Sequence, residues 1–137
     1  MFSCSEFSDV IVFRRTLGAV GCSWYAETTT DADVAVYARQ ILSATGLNGS
    51  ANLQVRKSHT GVRLLEINPR FSSLASARAV AGFRDAEWSV CQSLGLPLER
   101  PGTQYRDVRF QRFFHELVDV GDGYHAVRQW SPRTSAC

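Results

Sequence analysis

Hydrophobic and polar positions alternate most clearly between Ala51 and Asn68. Leu53 and Val55 are interleaved with Asn52, Gln54 and Arg56. Beyond Ser58-His59-Thr60-Gly61, Leu65 and Ile67 are interleaved with Glu66 and Asn68. A period of two sets residues i and i+2 on one face of a strand. The pattern therefore predicts an antiparallel hairpin, Ala51 to Lys57 and Val62 to Asn68, joined by a loop ending in glycine. Leu65 and Ile67 are expected to face a core, with Glu66 and Asn68 projecting together from the other side. A three-residue loop, His59 to Gly61, puts Ser58 opposite Val62, Gln54 opposite Glu66 and Asn52 opposite Asn68. A two-residue loop would move Gln54 to the other face, so the polar clustering favours the longer loop.

The remaining chain alternates between strand and helix patterns. Asp9 to Thr16 holds the strand formers Val10, Ile11, Val12 and Phe13 and ends in Arg14-Arg15-Thr16. Leu17 to Cys22 reads as a loop and Ser23 to Thr28 as a second short strand. Thr28-Thr29-Thr30-Asp31 offers several N-caps for a helix from Ala32 to Thr45. Its apolar face is Val34, Tyr37, Ala38, Ile41 and Leu42, and Gly46 stands where a left-handed cap ends it. Leu74 to Ala81 is Ala-rich and stops at Gly82. Asp85 is placed to cap a further helix, Ala86 to Leu94, with Trp88, Cys91 and Leu94 inward and Gly95 at its end. Leu96 to Thr103 is a loop. Val108 to Val120 has strand character, Gly121-Asp122-Gly123 is a turn signal, and Tyr124 to Trp130 returns as a last strand. Residues 1 to 8 are small and polar, with only Phe2 and Phe7 to anchor them, and the tail from Ser131 is expected to fray.

Together these elements predict an α+β fold, a mainly antiparallel sheet with helices packed on one side. The chain reads as a single domain, 1–137, with the informative core at 9–95 and a late strand region at 105–130. Its 137 residues are 45% hydrophobic and include eight Phe, enough for a real core. The net charge of +2 is too small to imply nucleic-acid or membrane binding. Arginine outnumbers lysine fourteen to one, Lys57 being the single lysine. Arginine suits bidentate contacts to carboxylate or phosphate, although a GC-rich genome gives the same bias. Cys4, Cys22, Cys91 and Cys137 are far apart and form no C-x-x-C, which argues against zinc and secretion. No run of about 18 apolar residues suggests a membrane helix, and no basic-then-apolar leader opens the chain. A reducing, cytoplasmic setting is expected.

Several tempting residues read as ordinary. His59, His115 and His125 lack metal-ligand spacing. Cys91 and Trp88 read as helix core, and Arg106, Arg109 and Arg112 as a solvated face. Ser72 and Ser73 lack a His-Asp partner pattern, so a serine hydrolase is not expected.

Candidate chemistry concentrates in Leu64-Leu65-Glu66-Ile67-Asn68-Pro69-Arg70-Phe71. A carboxylate and an amide side by side are oxygen ligands for a hard cation such as magnesium. Arg70, just past the strand, has a donor fork suited to phosphate. The same face is also what the wet side of a half-exposed hairpin looks like, and the residues alone leave both readings open.

Gly49-x-x-Asn52-x-Gln54, then Glu66-Ile67-Asn68-Pro69-Arg70-Phe71-Ser72, then Ala81-Gly82-Phe83, together resemble the C-terminal part of an ATP-grasp domain. The likeness covers Asp9 to Gly95 and is nearest in character to the carbamoyl-phosphate-synthase large-subunit branch. It implies two α+β subdomains that grasp ATP, and a ligase joining a small carboxylate to an amine or ammonia through an acyl phosphate. By that resemblance Glu66 bridges two magnesium ions, with manganese as an alternative, and Gln54 and Asn68 each bind one. Arg70 is the catalytic residue, meeting the γ-phosphate or the developing acyl phosphate. Asn52 supports the metal site, and Arg15 faces phosphate or substrate.

One departure stands out. The family's N-terminal lobe places lysines over the phosphates, whereas Lys57 lies on the hairpin. The expected reading is a C-terminal lobe, from a fragment, a truncated gene or a subunit needing a partner, with weak or no ligase activity alone. A homodimer is a further option. The alternatives are a non-catalytic binding or interaction module derived from such a lobe, and an α+β domain of unrelated role. The substrate is not legible.

Overall fold

The computed structural model describes residues 1–4, 7–18, 21–98, 105–113, 117–119, 121 and 124–126. The chain runs β1 (Phe2–Ser3), β2 (Ser8–Asp9), β3 (Phe13–Leu17), β4 (Ser23–Thr28), α1 (Ala32–Thr45), β5 (Gly49–Ser50), β6 (Asn52–Ser58), β7 (Gly61–Asn68), α2 (Ala75–Ala81), α3 (Asp85–Leu94), β8 (Arg109–Gln111), β9 (Leu117–Asp119) and β10 (Tyr124–Ala126). Every ladder among the described residues is antiparallel. The strands form separate small sheets, ordered β2-β1-β5, β3-β4-β8, β6-β7 and β10-β9. The fold is α+β, as the sequence predicts, with the sheet divided into pieces. Among the described residues no helix is long and apolar enough to cross a membrane.

α1 forms where its caps dictate. The Asp31 carboxylate accepts from the Val34 N–H at 3.3 Å, satisfying one orphan donor of the first turn. Gly46 closes the helix at φ 62, a conformation glycine adopts without a side-chain clash. Ala38 and Leu42 are buried on its inner face. That face rests on the hairpin, where the Tyr37 hydroxyl accepts from the Leu64 N–H at 3.3 Å.

Among the described residues, three apolar clusters hold the pieces together. Phe2, Phe7, Phe83 and Trp88 form the aromatic one, with Phe83 and Trp88 ring centroids 5.1 Å apart in an edge-to-face arrangement. The N-terminal segment thus does more than anchor itself: Phe2 and Phe7 are half of this cluster. Met1, Leu42 and Ala51 make a second under α1. Ala26, Leu74 and Ala77 join α2 to the β3-β4-β8 sheet.

The hairpin reaches its expected pairing by an unexpected route. Ser58 lies opposite Gly61, so the connection is the two-residue turn His59-Thr60 rather than three residues. That register alone would set Gln54 off the polar face. A β-bulge corrects it: Val55 opposes Leu64, the next partners are Gln54 and Glu66, and Leu65 is the extra residue. Asn52 then opposes Asn68. The bulge also explains why Leu65 is 62% exposed instead of facing the core, while Ile67 is half-buried.

Other expectations shift for similar reasons. The strand expected over Asp9 to Thr16 is broken: Asp9 ladders with Phe2 in β2, β3 begins at Phe13, and Val10 to Val12 between them are committed elsewhere. The Val10 N–H donates to the Asp9 side chain at 2.7 Å, and the Val12 carbonyl accepts from Thr29. Asp85 does not cap α3; it is the first helical residue, buried in an ion pair. Leu94 is 67% exposed, because it lies in the last turn, beyond the aromatic cluster that buries Trp88. Among the described residues of the Val108 to Val120 stretch there are two short strands, β8 and β9, and Arg112 and Phe113 after β8 are not in strand. His115, Asp122 and Gly123 of the expected Gly121-Asp122-Gly123 turn, the end of the last strand after Ala126 and the tail lie outside the described residues.

Candidate functional site

Gln54, Glu66, Asn52 and Asn68 share one face of the hairpin because of the bulge. The Gln54 Nε2 donates to Glu66 Oε2 at 2.7 Å. The Gln54 amide oxygen is in turn held by Arg15 Nη2, which reaches across from β3. Arg15 Nη1 also points to the Ser23 hydroxyl at 3.4 Å. On the other side, Arg70 Nη2 donates to Asn68 Oδ1 at 3.3 Å, and its Nη1 to the Phe71 carbonyl at 3.0 Å. Both amide oxygens therefore carry a guanidinium. Asn68 Nδ2 is buried and, among the described residues, has no hydrogen-bond partner. An unpaired buried N–H costs about 1–3 kcal/mol, so it marks a place where an acceptor is wanted.

The six expected site residues are not all placed alike. A cleft of ≈ 580 Å³ lies between β3 and the hairpin, and Arg15, Asn52, Gln54 and Arg70 line it. Glu66 and Asn68 do not; they connect to it through Gln54 and Arg70. All three candidate metal ligands offer oxygen, the donor type hard cations take. Glu66 is the one carboxylate of the three. Among the described residues, no three His, Cys, Asp or Glu side chains gather as a metal site.

The cleft is rich in cations, and their partners sort them. Arg14 pairs with Glu27 at 2.6 Å, and Lys57 with Asp31 and Asp33 at 2.8 Å each. The Arg14 guanidinium and then the Tyr25 hydroxyl hold the Glu27 carboxyl below the usual range. Lys57, then the Val34 N–H, does the same to Asp31, while Asp31 and then Asp33 raise Lys57. Arg15 and Arg70 differ from these, because they rest on neutral oxygens.

A buried network under the cleft was missed from sequence. Arg78 lines the cleft floor, and its Nε and Nη2 bind the Asp85 oxygens at 3.1 and 3.0 Å. Its Nη1 donates to the Ser72 hydroxyl at 2.5 Å, and the Ser50 hydroxyl donates to Asp85 at 2.5 Å. Ser72 is two residues past Arg70, so the network pins the loop that carries it. A signal existed: Leu74, Ala77, Arg78 and Ala81 fall on one helical stripe, and an arginine on an apolar stripe needs a buried acid. Arg112, expected on a solvated face, instead donates to the carbonyls of Ser23 at 3.2 Å and Ser73 at 3.0 Å, tying β4 to the loop before α2.

No curated protein matches the chain. The profile of a family described as "ATP-grasp in the biosynthetic pathway with Ter operon" matches residues 6–114. That span is most of the chain and contains the hairpin, its bulge, Arg15, Arg70 and the Arg78 network. With the α+β architecture it establishes that the chain belongs to the ATP-grasp family, as an ATP-binding lobe of the ligase type.

Proposed function

We propose that the chain is the metal- and phosphate-binding lobe of a ligase joining a small carboxylate to an amine or ammonia through an acyl phosphate. One observation carries the reading. Gln54, Glu66 and Asn68 present oxygens from one hairpin face, and positive groups already rest on both amide oxygens. A donor set with one carboxylate suits magnesium, which keeps waters and takes further ligands from phosphates. Glu66 would bridge two ions, with Gln54 and Asn68 holding one each; manganese fits the same donors. When bound, magnesium neutralises charge on the phosphoryl group during in-line transfer.

The chain's own groups do the rest. Arg70, the catalytic residue in this reading, offers its donor fork to the γ-phosphate or the acyl phosphate. Arg15 faces the same anion from β3, and Asn52, laddered opposite Asn68, supports the metal site in this reading. The single lysine is committed to Asp31 and Asp33. Lysines over the phosphates would therefore come from a second lobe, elsewhere in a longer protein or on a partner subunit. The family description suggests a biosynthetic product.

Calorimetric titration with ATP, with and without magnesium, tests the reading. The wild-type chain supplied with its second lobe binds ATP in a magnesium-dependent way, and Glu66→Gln weakens that at least about tenfold, the scale of losing a charged ligand contact. Unchanged magnesium-dependent binding in Glu66→Gln and Asn68→Ala would sink the ligand assignment. Binding without turnover, with carboxylate and ammonia present, would favour the non-catalytic module, a reading supported by the committed Lys57.

A further inference from the structure

Arg15 occupies an odd position. It sits on β3, laddered opposite Ala26, and bridges the cleft to Gln54 Oε1. That oxygen is the atom a metal would use. The other Gln54 group, Nε2, is already spent on Glu66 at 2.7 Å. Arg15's remaining contact, 3.4 Å to the Ser23 hydroxyl, is long and weak.

We propose that Arg15 is a placeholder cation: its guanidinium and a divalent metal exclude one another at Gln54 Oε1. The proposal rests on Gln54 being a metal ligand. A carboxamide oxygen has two lone pairs, so the exclusion is electrostatic rather than steric. A divalent ion and a guanidinium sharing one oxygen stand a few ångströms apart and repel strongly in a half-buried cleft. Metal arrival therefore expels Arg15. The β3 backbone stays in its ladder with β4, so only the side chain swings, into a cleft of ≈ 580 Å³. The freed guanidinium then seeks an anion, and the phosphates that accompany the metal supply one.

Two consequences follow. Metal alone binds weakly because it must displace Arg15. Metal with a polyphosphate binds better than either alone, because the displaced group gains a partner. Arg70 makes the same kind of contact, guanidinium to amide oxygen, with Asn68 Oδ1 at 3.3 Å.

The test is a manganese titration of the chain without nucleotide, read by electron paramagnetic resonance as loss of the free-ion signal. Arg15→Ala is expected to bind manganese about tenfold more tightly than wild type, the scale of one hydrogen bond to a charged group. Gln54→Ala binds more weakly than wild type, and adding Arg15→Ala to it restores nothing. Arg56→Ala removes one positive charge from the same cleft and serves as the control, with little change expected. The proposal is overturned if Arg15→Ala binds no tighter than wild type, or if Arg56→Ala tightens binding equally. Manganese bound by wild type but not enhanced in Arg15→Ala defeats this proposal and spares the metal site. No manganese bound by any variant defeats both.

Discussion

Arg78 with Asp85 and Arg15 with Gln54 are both guanidinium-to-oxygen contacts, and they sit at opposite ends of burial and saturation. Arg78 and Asp85 side chains are 7% and 3% exposed, and two serine hydroxyls complete their hydrogen bonds. Among the described residues, every side-chain nitrogen and oxygen of the pair has a partner. The Arg15–Gln54 contact lines the cleft and leans on a neutral oxygen, and the same hairpin face has an unpaired N–H at Asn68. A saturated, buried cluster fixes structure; an unsaturated, open one can trade partners. The two are joined by the loop from Pro69 to Leu74, which begins at the exchangeable site and ends at the fixed one.

Breaking the fixed cluster gives the largest effect. Asp85→Ala strands the Arg78 charge and is expected to cost about 3–5 kcal/mol in urea unfolding. The double variant Arg78→Met with Asp85→Leu recovers most of that, since an apolar pair of similar volume carries no uncompensated charge. Ser72→Ala comes next. It leaves one buried Arg78 N–H unpaired and costs about 1–3 kcal/mol. If both losses were near zero, the cluster would not be the anchor of the Arg70 loop.

The open cluster responds the other way. Glu66→Gln, at an exposed position, is expected to change unfolding stability by less than about 0.5 kcal/mol, and Asn68→Ala, at a half-buried one, by less than about 1 kcal/mol. Asn68→Ala even removes an unpaired buried donor. Their effect belongs to ligand binding, and a large stability loss in either would erase the contrast with Arg78.

The smallest effect is at Lys57, whose pairs with Asp31 and Asp33 are exposed and screened by salt. Asp31 is lowered in the fold by Lys57, so its contribution exists above the usual carboxylate range and fades as pH falls through the lowered value. Lys57 is raised, chiefly by Asp31, so its contribution exists below the usual lysine value and fades as pH rises through the raised one. The melting-temperature difference between wild type and Lys57→Met is therefore expected to be flat between those limits, to vanish at both ends and to shrink with added salt. A difference insensitive to pH would mean that the lysine stem, not its charge, is at work.

Much of the local structure was legible. Asp31 and Gly46 bracket α1, and the Ser23 to Thr28 strand and the Gly82 and Gly95 stops stand where the pattern put them. The partners Gln54–Glu66 and Asn52–Asn68 were also readable, although the loop that was meant to produce them was wrong. A two-residue turn and a bulge give the same pairs as a three-residue turn, and polar alternation cannot tell them apart. Val10 to Val12 misled because a β-branched run fits any extended, half-buried path. Only a neighbouring backbone decides whether it becomes a strand.

The sequence by itself determined the caps, the alternation and the oxygen donors of the hairpin face, because those depend on residues a few positions apart. Tertiary structure decided which arginine meets which oxygen. Arg15 finds Gln54 from 39 positions away, and Arg78 becomes structural because a helix stripe turns it onto Asp85. Fourteen arginines look alike along the chain. Burial and the reach of each guanidinium, set by how the sheets and helices pack, make one a fixed anchor and another a cation that can give way.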